Sequence, residues 1–256
     1  MNTIVSIPQP ALDVIERYKH LNIGDNRAVR CPYYRNPRSG KERWGLNAFS
    51  GKGSPQEIED ELKIIERLEH KNFSSMEEDE VRDIMRKRRL GVECSGFIAH
   101  IFDAWTRQSK SKRVYEVLQF PQSGLFAKIA IYLRPFTHIG VATLTDLQNA
   151  RELKNWQELQ PGDLIRFVAE VDHAILVIKT ERDNNDKLIS VEYAQSVREE
   201  TGEGIKEGKI TITNESLPLV EQHWEEWPNT SRTINQQRGF ISGQEVACGL
   251  YRPLYL

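Results

Sequence analysis

Hydrophobic residues recur every three or four positions through much of the first 110 residues, a spacing typical of helices that bury one face. Residues 9–20 predict a short amphipathic helix, residues 55–70 a longer one, and residues 94–105 a third with a core-facing apolar stripe. The apolar positions of the second helix are Ile58, Leu62, Ile65 and Leu68. The first part of the chain is therefore predicted to be mainly helical.

A Gly-Lys-Gly segment, residues 51–53, precedes the second predicted helix. Such a segment can bind phosphate, but its spacing is not that of a P-loop and no strand clearly precedes it. Ser54 and Glu57 have the spacing of a capping box instead, with Pro55 at the first helical position. The capping interpretation is therefore favoured over phosphate binding.

From residue 159 onwards the apolar period shortens towards two, and turn sequences separate the apolar runs. The predicted strands lie within residues 159–168, 173–180, 187–196, 208–214 and 248–256. Helices first and sequential strands afterwards are typical of the α+β class with an antiparallel sheet. We predict a mainly helical N-terminal extension over residues 1–88 and a second domain over residues 89–256. Within the second domain, residues at about 111–150 are predicted to be an insertion that contains a short helix or strand.

The composition is that of an ordinary globular protein, with 39% hydrophobic and 28% charged residues among 256. A formal net charge of -2 without a basic stripe argues against a nucleic-acid partner. No apolar run approaches the roughly 18 residues of a membrane span, and the first twenty residues lack the features of a secretion signal. We therefore expect a cytoplasmic protein without a membrane span, unless it is exported or released by a non-standard route.

Three cysteines, Cys31, Cys94 and Cys248, are too widely spaced for a disulfide framework, and no ligand spacing indicates a metal site. We expect neither a metal nor a cofactor. Cys94 lies at or just before the first turn of a predicted helix, where N–H groups and the helix dipole lower the pKa of a thiol. Its position predicts a nucleophile, with a buried structural cysteine as the alternative.

A nucleophilic thiol also needs a base within hydrogen-bond reach and a polar group that orients the base. Among six histidines, His173 opens a strand after a predicted hairpin turn, from which its ring can project towards a helix start. Gln195 lies in the next strand, where its side-chain oxygen can accept from the far ring nitrogen of His173. Tyr193 is a rival in the same strand, and Ser196 is a weaker one. The predicted catalytic set is Cys94, His173 and Gln195.

These segments together resemble the NlpC/P60 family of papain-like cysteine peptidases. They are "ECSGF" at 93–97, "PGDLIRF" at 161–167, "DHAILVI" at 172–178 and "YAQS" at 193–196. In the family, an Asp-Cys-Ser-Gly-Phe segment starts the nucleophile helix and a Pro-Gly-Asp-Leu segment begins the next strand. The base His starts the following strand, and a polar third residue lies one strand further. The resemblance covers about 90–105 and 159–215. It implies a papain-like core in which the nucleophile helix packs on an antiparallel sheet.

Three features depart from the family's pattern. Glu93 stands where the family usually has Asp, and Gln195 stands where it more often has His. His173 follows Cys94 by 79 positions, which is more than the family leads us to expect. The extra length places the insertion at about 111–150 near the predicted site.

The resemblance also suggests residues that contact the substrate. The family tends to use an upstream tyrosine near the thiol, a role that Tyr34 or Tyr33 can fill, with a buried aromatic as the alternative. We predict substrate contacts from Tyr34, Tyr193 and Ser95. The implied activity is hydrolysis of an amide bond through a thioester, with a peptide or muropeptide of the cell wall as partner. The alternatives are a thiol hydrolase or acyltransferase acting on another substrate, and a non-catalytic binding module with the same fold.

Overall fold

The computed structural model describes residues 2–35, 46–120, 125–167, 172–197, 204–225 and 248–256. The helices of these parts are α1 (Gln9–Lys19), α2 (Pro55–Glu69), α3 (Glu78–Lys87), α4 (Cys94–Lys110), α5 (Val114–Val117), α6 (Leu125–Leu133) and α7 (Val141–Leu144). The strands are β1 (Thr3–Ser6), β2 (Leu21–Gly24), β3 (Arg27–Val29), β4 (Ala150–Leu153), β5 (Leu164–Phe167), β6 (His173–Arg182), β7 (Leu188–Val197), β8 (Gly204–Thr211), β9 (His223–Trp224) and β10 (Cys248–Pro253). The mixture of helices with a sheet confirms the predicted α+β class.

One antiparallel sheet forms the centre of the fold. Its strands follow the order β4-β10-β5-β6-β7-β8-β9, and β1 pairs with the far half of β6. The long strands β6 and β7 are neighbours, with Leu176 opposite Ala194. The predicted turn between β5 and β6 covers residues 169–172, of which 169–171 lie outside the described residues. This pairing brings the start of β6 and the end of β7 to the same end of the strand pair.

Both faces of the sheet are covered. Along β6, Ala174, Leu176 and Ile178 join the core on the side of α4, while Ile175 and Val177 join a second core on the other side. A strand that is buried on both faces has apolar residues at successive positions instead of an alternating pattern. This explains why the "AILVI" run of β6 is continuously hydrophobic.

The first 88 residues share their core with the rest of the chain. β1 adds to the central sheet, and α1 packs against α4 through Tyr18 and Phe97, whose ring centroids are 5.5 Å apart. One buried hydrophobic cluster contains residues from both parts of the chain, including Ile7 and Tyr255. The predicted boundary near residue 88 therefore does not separate two hydrophobic cores.

The start of α2 has the capping box that its sequence predicts. Ser54 Oγ accepts from the Glu57 backbone N–H at 3.2 Å, and Glu57 Oε2 accepts from the Ser54 N–H at 2.7 Å. The buried face consists of Ile58, Leu62 and Ile65, but Leu68 is 64% exposed. The last turn of the helix extends beyond the core, so the prediction that Leu68 belongs to the buried face was wrong.

The insertion at 111–150 is mainly helical in its described part, with α5, α6 and α7 where the sequence indicated only a short helix or strand. Phe136 packs from this segment onto α4, where it stacks on the His100 ring at 4.3 Å between centroids. The insertion therefore contacts the same helix that begins at Cys94. None of the helices in the described parts of the chain is both long and apolar enough to traverse a bilayer.

Candidate active site

Cys94 is the first residue of α4, as the sequence predicted. Two earlier segments of the chain hold this helix start in place. The Glu93 N–H donates to the Gly51 carbonyl at 3.0 Å, and the Tyr34 N–H donates to the Val92 carbonyl at 3.3 Å. A Cβ on Gly96 would collide with the same Gly51 carbonyl, so this glycine is required for the close approach.

The Cys94 thiol is buried, with the residue 3% exposed. The pKa of this thiol is raised to about 12, mainly by burial and also by the Glu93 carboxylate. The backbone N–H groups of Ala174 and Ser95 and the Lys52 ammonium act in the opposite direction, but they do not balance the burial. The expectation that the helix start lowers this pKa was therefore wrong. At neutral pH the resting thiol is protonated.

His173 and Gln195 are joined by a direct hydrogen bond. The distance from His173 Nε2 to Gln195 Oε1 is 2.9 Å. An amide oxygen only accepts, so this bond requires the proton on Nε2 and leaves Nδ1 as the basic nitrogen of the neutral ring. Phe167 lies nearly parallel to the His173 ring, with 6.2 Å between centroids, and Gln195 is fully buried. The ring is therefore fixed by a strand neighbour on one side and an amide on the other.

The thiol meets this pair at the start of β6. The backbone N–H of Ala174, which directly follows His173, lies close enough to the Cys94 sulfur to lower the pKa of the thiol. Ser196 Oγ donates to the Val92 carbonyl at 2.7 Å and ties the end of β7 to the segment that precedes Cys94. The fold thus gathers Cys94, His173 and Gln195 at one end of the β6–β7 pair.

A buried polar cluster that the sequence analysis did not predict lies near the thiol. Lys52 Nζ contacts the Glu93 carboxylate, donates to Ser95 Oγ at 2.5 Å and donates to the Ile139 carbonyl at 2.6 Å. Ser95 Oγ donates in turn to Glu93 Oε1 at 2.6 Å. Lys52 belongs to the Gly-Lys-Gly segment, but it binds a carboxylate of the protein instead of projecting into solvent. Only the tertiary contact reveals this role, since 41 positions separate the two charges.

The predicted substrate contacts have different surroundings. Tyr193 is fully covered in the second core, where its ring is 5.4 Å from that of Trp224. Ser95 is buried in the Lys52 cluster. Both side chains are buried in this structure, as Cys94 is, and their contact with a substrate stays a prediction. Tyr34 is partly exposed and lies beside Gly91 and Gly51, next to the helix start.

The remaining titratable groups near α4 form a separate environment. His100 is buried, its Nε2 is 2.8 Å from the Lys52 carbonyl oxygen, and burial lowers its pKa.

Among the described residues, no group of three or more His, Cys, Asp or Glu side chains is placed to hold a metal ion. No protein-family model, curated protein or solved structure matches this chain.

Proposed function

We propose that this protein is a cysteine hydrolase that cleaves an amide bond, with Cys94 as nucleophile, His173 as base and Gln195 as the residue that orients the base. The observation that carries the proposal is the 2.9 Å bond from His173 Nε2 to Gln195 Oε1 beside a thiol at a helix start. A nucleophile, a base and a third group that fixes the base are the parts of a covalent acyl-transfer site. The papain-like core that the sequence motifs imply belongs to the same proposal.

In the first half of the reaction, Cys94 Sγ attacks the amide carbonyl carbon and forms a C–S bond. The thiol proton passes to His173 Nδ1, and the carbonyl oxygen becomes an oxyanion. The Cys94 backbone N–H is at the first position of α4, has no acceptor within the helix, and stabilises this charge in the proposed reaction. Collapse of the intermediate breaks the C–N bond, and the leaving amine takes the proton from His173.

In the second half, water attacks the thioester. His173 Nδ1 accepts a proton from the water as the new C–O bond forms, and the C–S bond then breaks. The proton returns to the sulfur and restores the thiol. Gln195 keeps its hydrogen bond to Nε2 through both halves, so the ring stays in the orientation that presents Nδ1 to the reacting atoms.

The raised pKa of Cys94 decides when the proton moves. A thiol with a pKa of about 12 is not ionised before substrate binds. In this proposal, proton transfer to His173 therefore accompanies the attack on the carbonyl. This differs from a site in which a thiolate and an imidazolium are already paired at rest.

The substrate class in this proposal comes from the resemblance of the motifs to NlpC/P60 peptidases. It is a peptide of the peptidoglycan type, cleaved next to a D-amino acid or meso-diaminopimelate. An amide or ester outside the cell wall is the alternative within the same chemistry.

A second candidate function is a non-catalytic binding module with the same fold. It is favoured by one observation, the nearly complete burial of the Cys94 thiol. A buried cysteine with a raised pKa is typical of packing, and such thiols are inert.

The experiment incubates purified muropeptides with the wild type, with Cys94→Ala and with Cys31→Ala, and identifies the products by mass spectrometry. Cys31 is also buried and its pKa is also raised by burial, which makes it a matched control. We expect new amide-cleavage products from the wild type and from Cys31→Ala, and none from Cys94→Ala. A loss of at least about a thousandfold corresponds to removal of a nucleophile.

Equal cleavage by Cys94→Ala and the wild type would contradict the nucleophile. Where muropeptides stay intact, a p-nitrophenyl acetate assay separates the remaining candidates. Stoichiometric acylation of Cys94, followed by turnover, indicates a hydrolase of another substrate. No acylation of Cys94 by this ester indicates the binding module.

A further inference from the structure

A cavity of about 490 Å³ lies between α1, the start of α2, α4 and the insertion. Its volume is within the range of small-molecule sites. Its described lining includes neither Cys94 nor His173 nor Gln195. The nearest link between the two places is His100, which lines the cavity six residues after Cys94, about 9 Å along the helix.

The two carboxylates in the wall are already bound to protein groups. Glu57 accepts from the Ser54 N–H and from the Asn47 side chain at 3.0 Å. Asp103 Oδ1 accepts from Arg113 Nε at 2.9 Å and from the backbone N–H of Val114 at 3.0 Å. Asp103 is therefore paired with Arg113, whereas Glu57 is held by neutral donors and keeps its charge. The wall has three arginines and two carboxylates, which leaves one positive charge in excess.

The arginines in the wall have spare donors. Arg107 is exposed, and its guanidinium has no hydrogen bond or ion pair within the described parts of the chain. Arg17 uses one nitrogen, Nη2, for Gln56 and Glu59, both at 3.2 Å. A guanidinium carries five N–H donors in a planar fork that suits a carboxylate or a phosphate. The cavity therefore presents donors to an anion.

Another part of the lining is aromatic. Phe136 is stacked on His100, and the Tyr115 ring meets Phe136 edge-on at 5.9 Å between centroids. Arg113 lies over both rings, at 5.3 Å from Tyr115 and 5.7 Å from Phe136. A ring or apolar body can pack against this wall while its charge faces the arginines.

We propose that this cavity binds a small organic anion, with the carboxylate or phosphate on Arg17 and Arg107 and the apolar body against Tyr115 and Phe136. The site does not depend on Cys94 acting as a nucleophile. It is supported by the lining chemistry of four separate elements, which a solvated surface arginine alone does not provide.

The test measures binding of phenyl phosphate by isothermal titration calorimetry at constant ionic strength. Inorganic phosphate, which lacks the ring, and benzyl alcohol, which lacks the charge, are the comparison probes. The variants are Arg107→Gln and a matched control, Arg67→Gln. Arg67 is an exposed arginine of α2 about 18 Å along the helix from Pro55, and it does not line the cavity. Cys94→Ala tests whether phenyl phosphate binds at the thiol instead of in the cavity.

We expect saturable binding of phenyl phosphate to the wild type, with about tenfold weaker binding to Arg107→Gln, since a charged donor is lost. Arg67→Gln and Cys94→Ala should bind as the wild type does, and both comparison probes should bind more weakly. The assignment is overturned by absence of saturable binding, by equal losses in Arg107→Gln and Arg67→Gln, or by loss of binding in Cys94→Ala. Equal affinity for inorganic phosphate would remove the aromatic wall from the site and overturn the proposed ligand class.

Discussion

The starts of α2 and α4 are built in different ways. At α2, Ser54 and Glu57 cap each other's N–H groups over three residues, close to the surface. At α4, the Glu93 side chain caps no N–H group of its own helix and contacts Lys52 instead. The first arrangement uses neighbours in sequence, and the second uses residues 41 positions apart.

This difference leaves the first-turn N–H groups of α4 without a side-chain cap. A side-chain cap occupies the N–H groups that would otherwise bind an anion. In the proposed reaction, these uncapped donors of α4 serve the developing oxyanion. Lys52 compensates the Glu93 charge near the thiol.

Removal of Lys52 should have the largest effect. Lys52→Met leaves the Glu93 carboxylate without its cation in a site that is mostly buried, so we expect the free energy of unfolding to fall by about 3–5 kcal/mol. Urea unfolding measures this change. Lys179→Met is the matched control, because its ion pair with Glu192 is about one-third exposed and should contribute less than about 1 kcal/mol.

The double variant Lys52→Met/Glu93→Gln removes both charges and should regain most of the lost stability. It should also make Cys94 easier to ionise than Lys52→Met alone does, since the carboxylate raises the thiol pKa. Equal instability of the single and double variants would contradict a charge-compensating role for Lys52.

Removal of Gln195 tests the proposed site at the start of α4. Gln195→Ala loses the acceptor at His173 Nε2, so the ring loses the hydrogen bond that fixes its orientation. We expect turnover to fall by roughly ten- to a thousandfold, about 1.4–4 kcal/mol in the barrier, measured by steady-state kinetics on the cleaved substrate. Gln195→His should retain part of the activity because it restores an acceptor.

Tyr193→Phe is the control in the same strand, and its turnover should stay near that of the wild type because the ring belongs to the second core. The opposite result, with Tyr193→Phe inactive and Gln195→Ala active, would transfer the orienting role to Tyr193.

The raised thiol pKa predicts how stability changes with pH. The folded pKa of Cys94 is about 12, above the roughly 8.5 of a free thiol, so this group stabilises the fold below pH 8.5. Its contribution is lost as pH rises towards 12, because the unfolded thiol ionises first. In that window, the unfolding free energy of the wild type should fall with pH more steeply than that of Cys94→Ala. The expected difference between the two slopes is about 1.4 kcal/mol per pH unit. Urea unfolding between pH 8 and 10 measures the slopes.

Identical slopes for the wild type and Cys94→Ala would contradict the raised pKa. Alkylation gives an independent check: the rate at Cys94 should keep rising with pH through 9. A plateau well below pH 8.5 would indicate a thiolate already paired with His173 at rest.

The smallest effect is expected at the start of α2. Ser54→Ala removes one reciprocal cap and should lower the free energy of unfolding by about 1 kcal/mol. Thermal or urea unfolding measures this loss, and turnover should be unchanged because this helix start does not face the thiol. A loss of turnover as large as that of Gln195→Ala would contradict the separation of the two helix starts.

The sequence alone determined the features that depend on neighbours or on simple periodicity. The capping box at Ser54, the start of α4 at Cys94 and the strands that carry His173 and Gln195 all follow from local spacing. The contact between His173 and Gln195 was also predictable, since consecutive strands joined by a short turn pair antiparallel.

Only the tertiary structure decided the electrostatics of the site. Burial of Cys94 outweighs its helix-start position and raises its pKa, and burial of Tyr193 and Ser95 removes them from contact with solvent. Lys52 reaches Glu93 because a loop from the first part of the chain packs against α4. Desolvation and contacts between distant residues depend on how all the elements pack together, and no local pattern of residue types specifies them.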